Sequence, residues 1–248
     1  REEKDRFSAD ISFVGSMYHK NSYDDIKDKL PPYLRGYFDA AMLAQLNIYG
    51  DNIIDELLTV DILKQLSEFV DFRQDKRAFS DIRLVFESTF LGFKLANIER
   101  VRTLNLLAKK NKVALYTDEQ DTSLINVDFK GTVDYMNDMP KVFNNSSINL
   151  NMTIRNIRTG IPLRVWDILG AGGFLLTNYQ IELTDYFKNE ESIVYYEDMY
   201  DCCKKAEYYL LHEDKRRQIA AKGHELVSKK HSYINRVKYI LDVIGKMS

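Results

Sequence analysis

Apolar and polar positions follow two rhythms along this chain, in short β-rich runs and in longer stretches with helical spacing. Ile11-Ser12-Phe13-Val14-Gly15 predicts a short strand running into a Gly-Ser turn. From Tyr33 to about Phe93 the spacing is helical: Leu43, Leu46, Ile53, Leu57, Leu58, Ile62, Leu63 and Leu66 recur three or four residues apart. Ile98 to Lys110 predicts an amphipathic helix that feeds a strand at Lys112–Tyr116. Further strands are expected at Phe129–Val133, Ser147–Asn151, Phe174–Thr177 and Ser192–Tyr196. Short helices are expected over Met139–Asn144, Leu163–Leu169 and Glu182–Phe187. Three longer ones finish the chain, at Met199–Leu211, Asp214–Lys230 and Tyr233–Met247.

Short strands separated by helices predict an α/β fold, a Rossmann-like parallel sheet flanked by helices on both faces. Ligands of such sheets bind at the carboxyl ends of the strands. The helical stretch, residues 30–95, reads as an insertion after the first strand, and residues 1–248 read as a single domain.

Composition narrows the function classes. A hydrophobic fraction of 45% with 29% charged residues suits a globular chain, and 248 residues can bury a sizeable core. The net charge of −2 gives no global attraction to nucleic acid or to an anionic membrane. No apolar run approaches the roughly 20 residues of a membrane span. Cys202 and Cys203 are adjacent and make no useful staple, so a reducing cytoplasm is the expected compartment. No Walker A sequence or GxGxxG fingerprint is present, which argues against a P-loop NTPase or a typical NAD enzyme.

The candidate chemistry concentrates in Gly160–Gln180, GIPLRVWDILGAGGFLLTNYQ. A Gly-Ile-Pro loop leads into Arg164 and Asp167 on the first turns of a short apolar helix. Such a turn points free backbone N–H groups and an arginine at one place, which suits a phosphate or diphosphate. Asp167, one turn later, is placed to accept hydrogen bonds from a ribose. The same residues also fit an ordinary loop–helix–strand carrying a surface ion pair.

Several runs together resemble the CgeB-type (spore maturation protein) glycosyltransferases, and more broadly the group-1 glycosyltransferases of GT-B fold. They are Phe13 to Tyr18, Leu34 to Tyr37 with Gln45 and Tyr49-Gly50, Asn149 to Thr153, Gly160 to Arg164, Asp167, and Gly172 to Asn178. The resemblance implies the C-terminal, donor-binding domain of a two-domain enzyme, with the N-terminal domain absent from this chain. It implies transfer of a sugar from a UDP- or GDP-sugar to an unknown acceptor, whether glycan, protein or small molecule, with no metal.

Carried over residue by residue, it assigns Asp167 to the donor ribose and the backbone of Gly160, Ile161, Pro162 and Leu163 to the sugar and diphosphate. Arg164 would pair with phosphate or fix the loop through Asp167, so Arg164 and Asp167 are the expected catalytic pair. Gly15 and Ser16 match a turn facing the diphosphate. Gly131 to Tyr135 match the segment that reads the base, with Val133 or Tyr135 against the ring. The family's second Glu, eight residues before the ribose-binding acid, is Thr159 here. That departure leaves the stereochemical course open.

Arg155 and Arg158 could add positive potential over the diphosphate, or could face solvent on a turn. His19 is a candidate donor or acceptor contact, or an incidental loop residue. His212, His224 and His231 lack metal-ligand spacing. Asp24-Asp25 and the Asp118–Asp121 cluster lack calcium-loop spacing and read as solvated loops. A competing expectation is a non-catalytic interaction module whose insertion is the partner surface. A third role for the insertion is to cover the sheet edge or dock on the absent domain, which would leave an apolar patch and a tendency to self-associate.

Overall fold

The computed structural model describes residues 6–70 and 81–247. Its centre is one sheet of six parallel strands: β1 (Ala9–Val14), β2 (Val113–Tyr116), β3 (Val127–Phe129), β4 (Ser146–Asn151), β5 (Leu175–Asn178) and β6 (Val194–Tyr196). The order across the sheet is β3-β2-β1-β4-β5-β6. In register, Phe13 lies between Leu115 of β2 and Leu150 of β4. The chain leaves β1 toward β2 and leaves β4 toward β5, in opposite directions. That divergence makes the β1–β4 junction the topological switch point, where a crevice opens outside the strand ends.

In chain order the helices are α1 (Ser22–Ile26), α2 (Pro32–Gln45), α3 (Ile54–Leu57), α4 (Val60–Ser67) and α5 (Ile82–Val85). A π-helical turn, Phe86–Gly92, joins α5 to α6 (Phe93–Leu107). There follow α7 (Met139–Asn145), α8 (Leu163–Gly170), α9 (Leu183–Tyr186), α10 (Met199–Leu211), α11 (Glu213–Lys230) and α12 (Tyr233–Met247). Side-chain caps fix several starts: Asn21 accepts from Asp24 N–H, Thr59 from Ile62 N–H, and Asp198 from Tyr200 and Asp201 N–H.

Both faces of the sheet are covered, so β2 reads as a continuous apolar run, while β1 and β4 bury Ser12 and Asn149, hydrogen-bonded to each other. On one face Ile11, Phe13, Leu115, Ile148, Leu150 and Leu176 pack against α6, α10 and α11 through Leu104, Cys202, Ala206 and Ile219. On the other, Ala9, Ala114, Tyr116 and Leu175 meet Val142 and Phe143 of α7 and Val165, Ile168 and Leu169 of α8. Cys202 is buried in the first layer and Cys203 is half-buried beside it.

The insertion forms a third cluster from Tyr23, Leu34, Phe38, Met42, Leu46, Ile54, Leu58, Leu66, Phe86, Leu91 and Leu95. Its helical spacing resolves into short helices where a long amphipathic run was expected, and residues 71–80 of that run lie outside the described residues. Leu43, expected in the core, is 46% exposed, because Met42 and Leu46 take the inward positions of α2. The third strand is Val127–Phe129 and not Phe129–Val133. Gly131, at φ +72°, turns the chain out of extended geometry soon after Lys130 N–H makes its last bond to Leu115.

Apolar side chains of α12 face outward, with Tyr233 at 79% and Ile234 at 68% exposure. No helix among the described residues is long and apolar enough to cross a membrane. Nor does any group of three or more His, Cys, Asp or Glu side chains converge there as metal ligands would.

Candidate functional site

The segment after β4 starts in a buried polar cluster. Asn151 donates to Thr153 Oγ1 and Thr177 Oγ1, and Asn178 both accepts from Thr153 N–H and donates to its carbonyl. These bonds tie the exits of β4 and β5 together and fix where the next turn leaves the sheet. Gly160 then takes φ +87°, a conformation that side chains disfavour, and its N–H donates to the Glu182 carboxylate. Pro162, extended at ψ 144°, starts α8, and Val165 N–H bonds the Pro162 carbonyl. The first turn of a helix leaves N–H groups without intrahelical acceptors, and here they belong to Leu163 and Arg164.

Asp167 sits one turn into α8. Its Oδ1 accepts from Tyr135 Oη at 2.9 Å, and its Oδ2 lies 3.6 Å from Arg164 Nη1. The hydrogen bond to Asp167 raises the Tyr135 hydroxyl above its ordinary range. Arg164 also donates to Met139 Sδ and lies over the Phe143 ring at 5.6 Å. Burial lowers its guanidinium from the usual value, opposed by Asp167 and Tyr135. Arg164 thus stands beside Asp167 at the start of α8.

Asp167 also borders a groove of about 680 Å³ between α8, α9 and the α11–α12 junction. Ile161, Leu163 and Glu182 form its rim; Trp166, Tyr186, His231, Tyr233 and Arg236 form its wall. Arg236 stacks on Trp166 and Tyr186 and donates to His231 Nδ1 at 2.9 Å. Burial, with Arg236 and Lys230 adding to it, holds the His231 imidazole below the usual histidine range.

The other expected site residues are distributed around this centre. Val133 is half-buried against the α7–α8 core, which lets Tyr135 reach Asp167, while Gly131 stands in open space. Gly15 N–H bonds the Tyr116 carbonyl, and Ser16 Oγ accepts from Tyr18 N–H at 3.3 Å. Arg100 of α6 closes the switch point: it donates to the Ser16 carbonyl and to Met152 O at 2.7 Å, under the rings of Phe13 and Tyr18. Among the described residues no hydrogen bond or ion pair joins the Gly15–Ser16 turn to Gly160–Asp167.

Arg158 is tied to the insertion, 2.9 Å from Asp55 and 3.9 Å from Glu87. With Thr159 it lines a separate hollow of about 660 Å³. Arg155 is neither solvent-facing nor free. It is buried 2.8 Å from Glu99, with its guanidinium 3.6 Å from the centre of the Tyr49 ring. His19 pairs with Glu119 at 2.9 Å in an exposed loop contact.

Sequence reasoning missed Glu182, Trp166, Tyr186, His231 and Arg236 as neighbours of Asp167. The one available signal was Trp166, the chain's single tryptophan, next to Asp167. The remaining residues come from two stretches, 182–186 and 231–236, that only folding brings together with α8.

Residues 97–242 match the family model described as glycosyl transferase-like. No curated protein matches the chain significantly. Among solved structures, Anabaena HepE in complex with UDP-glucose aligns at 11% identity and TM-score 0.48, over 59% of this chain and 44% of that one. S. aureus TarM aligns at 14% identity and TM-score 0.46, over 58% of this chain and 31% of its own. The C-terminal domain of the glycosyl transferase group 1 family protein LpcC from Francisella tularensis aligns at 13% and TM-score 0.45, over 54% and 78%. The aligned region thus spans less than half of the HepE and TarM chains.

Proposed function

We propose, for a chain that belongs to the glycosyl transferase-like family, that it is the donor-binding portion of a nucleotide-sugar-dependent glycosyltransferase of the CgeB type. The observation that carries this reading is Asp167, held by Tyr135 and Arg164 next to the Gly160–Leu163 turn and at the rim of the groove. A carboxylate fixed in this way accepts ribose hydroxyls, while helix-start amides one turn earlier face the diphosphate.

As the donor C1–O bond breaks, positive charge grows on the sugar and negative charge on the departing diphosphate. The amides of Leu163 and Arg164 and the positive end of α8 stabilise that leaving group, with no reorganisation needed at the moment of reaction. The Arg164 guanidinium acts by orienting Asp167. The acceptor is brought by a second lobe.

Isothermal titration of the 248-residue chain with UDP, GDP and their sugar conjugates tests the reading. Saturable binding of one nucleotide is expected, weakened at least about tenfold by Asp167→Ala, as for loss of a charged hydrogen-bond partner. Silence from the folded wild-type chain across the panel overturns it.

A further inference from the structure

We propose that Glu182 is the carboxylate that reads the hydroxyls of the donor's sugar, and so sets which sugar conjugate is preferred. This rests on the donor-site reading above and assigns a residue that the family resemblance does not supply. Glu182 stands immediately before α9, in the connection that leaves β5 at the carboxyl end of the sheet. Its Oε2 accepts from Gly160 N–H across 22 residues of sequence, which locks the side chain beside Thr159. Thr159 is the position where a carboxylate would be expected and is absent. Glu182 therefore brings one to the same turn from a different element.

The division of acceptor capacity points the same way. Asp167 and Glu182 are the two carboxylates that border the groove. Each oxygen of Asp167 has one protein partner, Tyr135 on one and Arg164 on the other, which leaves its remaining lone pairs for the ribose. Glu182 uses Oε2 on Gly160, and its Oε1 accepts no protein hydrogen bond among the described residues. An ionised carboxylate oxygen so placed accepts hydroxyl donors strongly.

Charge separates the sugar from the other parts of the donor. A carboxylate at Gly160 repels a diphosphate, so the phosphates lie toward the amides of Leu163 and Arg164 and the neutral sugar faces Glu182. Trp166 and Tyr186 line the same groove, with Arg236 over both rings. The ligand class is thus a hexose carried on a nucleoside diphosphate, held through at least one hydroxyl by Glu182.

The test compares bare UDP and GDP with UDP-glucose, UDP-N-acetylglucosamine and GDP-mannose by calorimetry on the wild-type chain, Glu182→Gln and Glu182→Ala. Glutamine keeps an oxygen for Gly160 N–H and removes the charge, so it controls for the turn. The proposal expects the ratio of conjugate to bare-nucleotide affinity to fall about tenfold in Glu182→Ala and partway in Glu182→Gln, as a charge-assisted hydrogen bond is lost. Bare-nucleotide affinity does not fall in Glu182→Gln, because the turn is kept and a charge that repels the diphosphate is removed.

An unchanged ratio in both variants overturns the proposal, even while Asp167→Ala abolishes binding and the donor reading stands. Equal losses for bare and conjugated nucleotide also overturn it, reducing Glu182 to a cap on Gly160. A folded wild-type chain that binds nothing in the panel removes the donor reading itself, and this inference with it.

Discussion

Tyr135, Arg164 and Asp167 form one unit in which each side chain restricts the others. Tyr135 Oη occupies one oxygen of Asp167 and Arg164 approaches the other, while Met139 and Phe143 hold the guanidinium from below. Tyr135→Phe removes one donor and keeps the ring. If Tyr135 positions Asp167, nucleotide affinity falls about three- to tenfold with little change in unfolding midpoint, as for a net hydrogen bond of about 0.5–1.5 kcal/mol. Titration beside a thermal melt checks both halves.

His231 carries a pH prediction. Arg236 donates to its Nδ1, so the neutral imidazole is the favoured folded form, and burial holds its folded pKa below the unfolded one. A base with a lowered folded pKa contributes stability that is present above its unfolded value, about 6.5, and is lost as pH falls through the lowered value. The melting temperature should therefore drop between pH 7 and 5 by more in the wild-type chain than in His231→Gln. Equal slopes would show that the imidazole does not titrate with folding.

At the scale of elements, α8 is set by two close approaches. A Cβ on Gly173 would lie 2.6 Å from Asn149 Nδ2 and 2.7 Å from the Phe143 carbonyl. One on Gly223 of α11 would press on the Ser192 carbonyl and on Leu169. Gly173→Ala is expected to destabilise the fold by about 1–3 kcal/mol, because the Phe143 carbonyl is backbone and Asn149 Nδ2 is held by its bonds to the Phe143 and Phe174 carbonyls. Denaturant unfolding measures it. A midpoint equal to that of the wild-type chain would mean that the α8–β5 connection relaxes freely.

The sheet and these helices were legible in the sequence, since the runs at Lys112–Tyr116 and Phe174–Thr177 are mostly apolar and Ser147–Asn151 alternates apolar with polar residues. The third strand was misplaced toward Val133 because that β-branched residue packs against α7 and α8 from a loop. The insertion's register was only partly legible. In α2, which no side chain caps, Leu43 loses the inward position to Met42 and Leu46.

Across the whole molecule, Tyr49 of the insertion seats on a buried ion pair of the sheet region. Glu99 and Arg155 are 2.8 Å apart with side chains 2% and 4% exposed. Tyr49, from the insertion, donates to Glu99 and covers Arg155, and its ring meets Tyr196 edge-on. Removing one partner strands a buried charge, so Glu99→Ala should cost about 3–5 kcal/mol. The double variant Glu99→Ala with Arg155→Ala should cost less than the sum of the singles. Additive losses in chemical denaturation would mean that the two charges do not depend on one another.

Local rules acting along the chain determined the element order, the parallel α/β class and the Gly160–Asp167 turn, because apolar spacing and glycine backbone freedom are properties of neighbouring residues. Tertiary structure decided the rest. It placed Arg100 in the switch point, drew Arg158 to Asp55 and Glu87, and turned Arg164 onto Met139. It also brought Glu182 to Gly160, and His231 and Arg236 to Trp166. A long charged side chain takes whichever partner and burial the packed elements offer, and no spacing along the sequence encodes that choice.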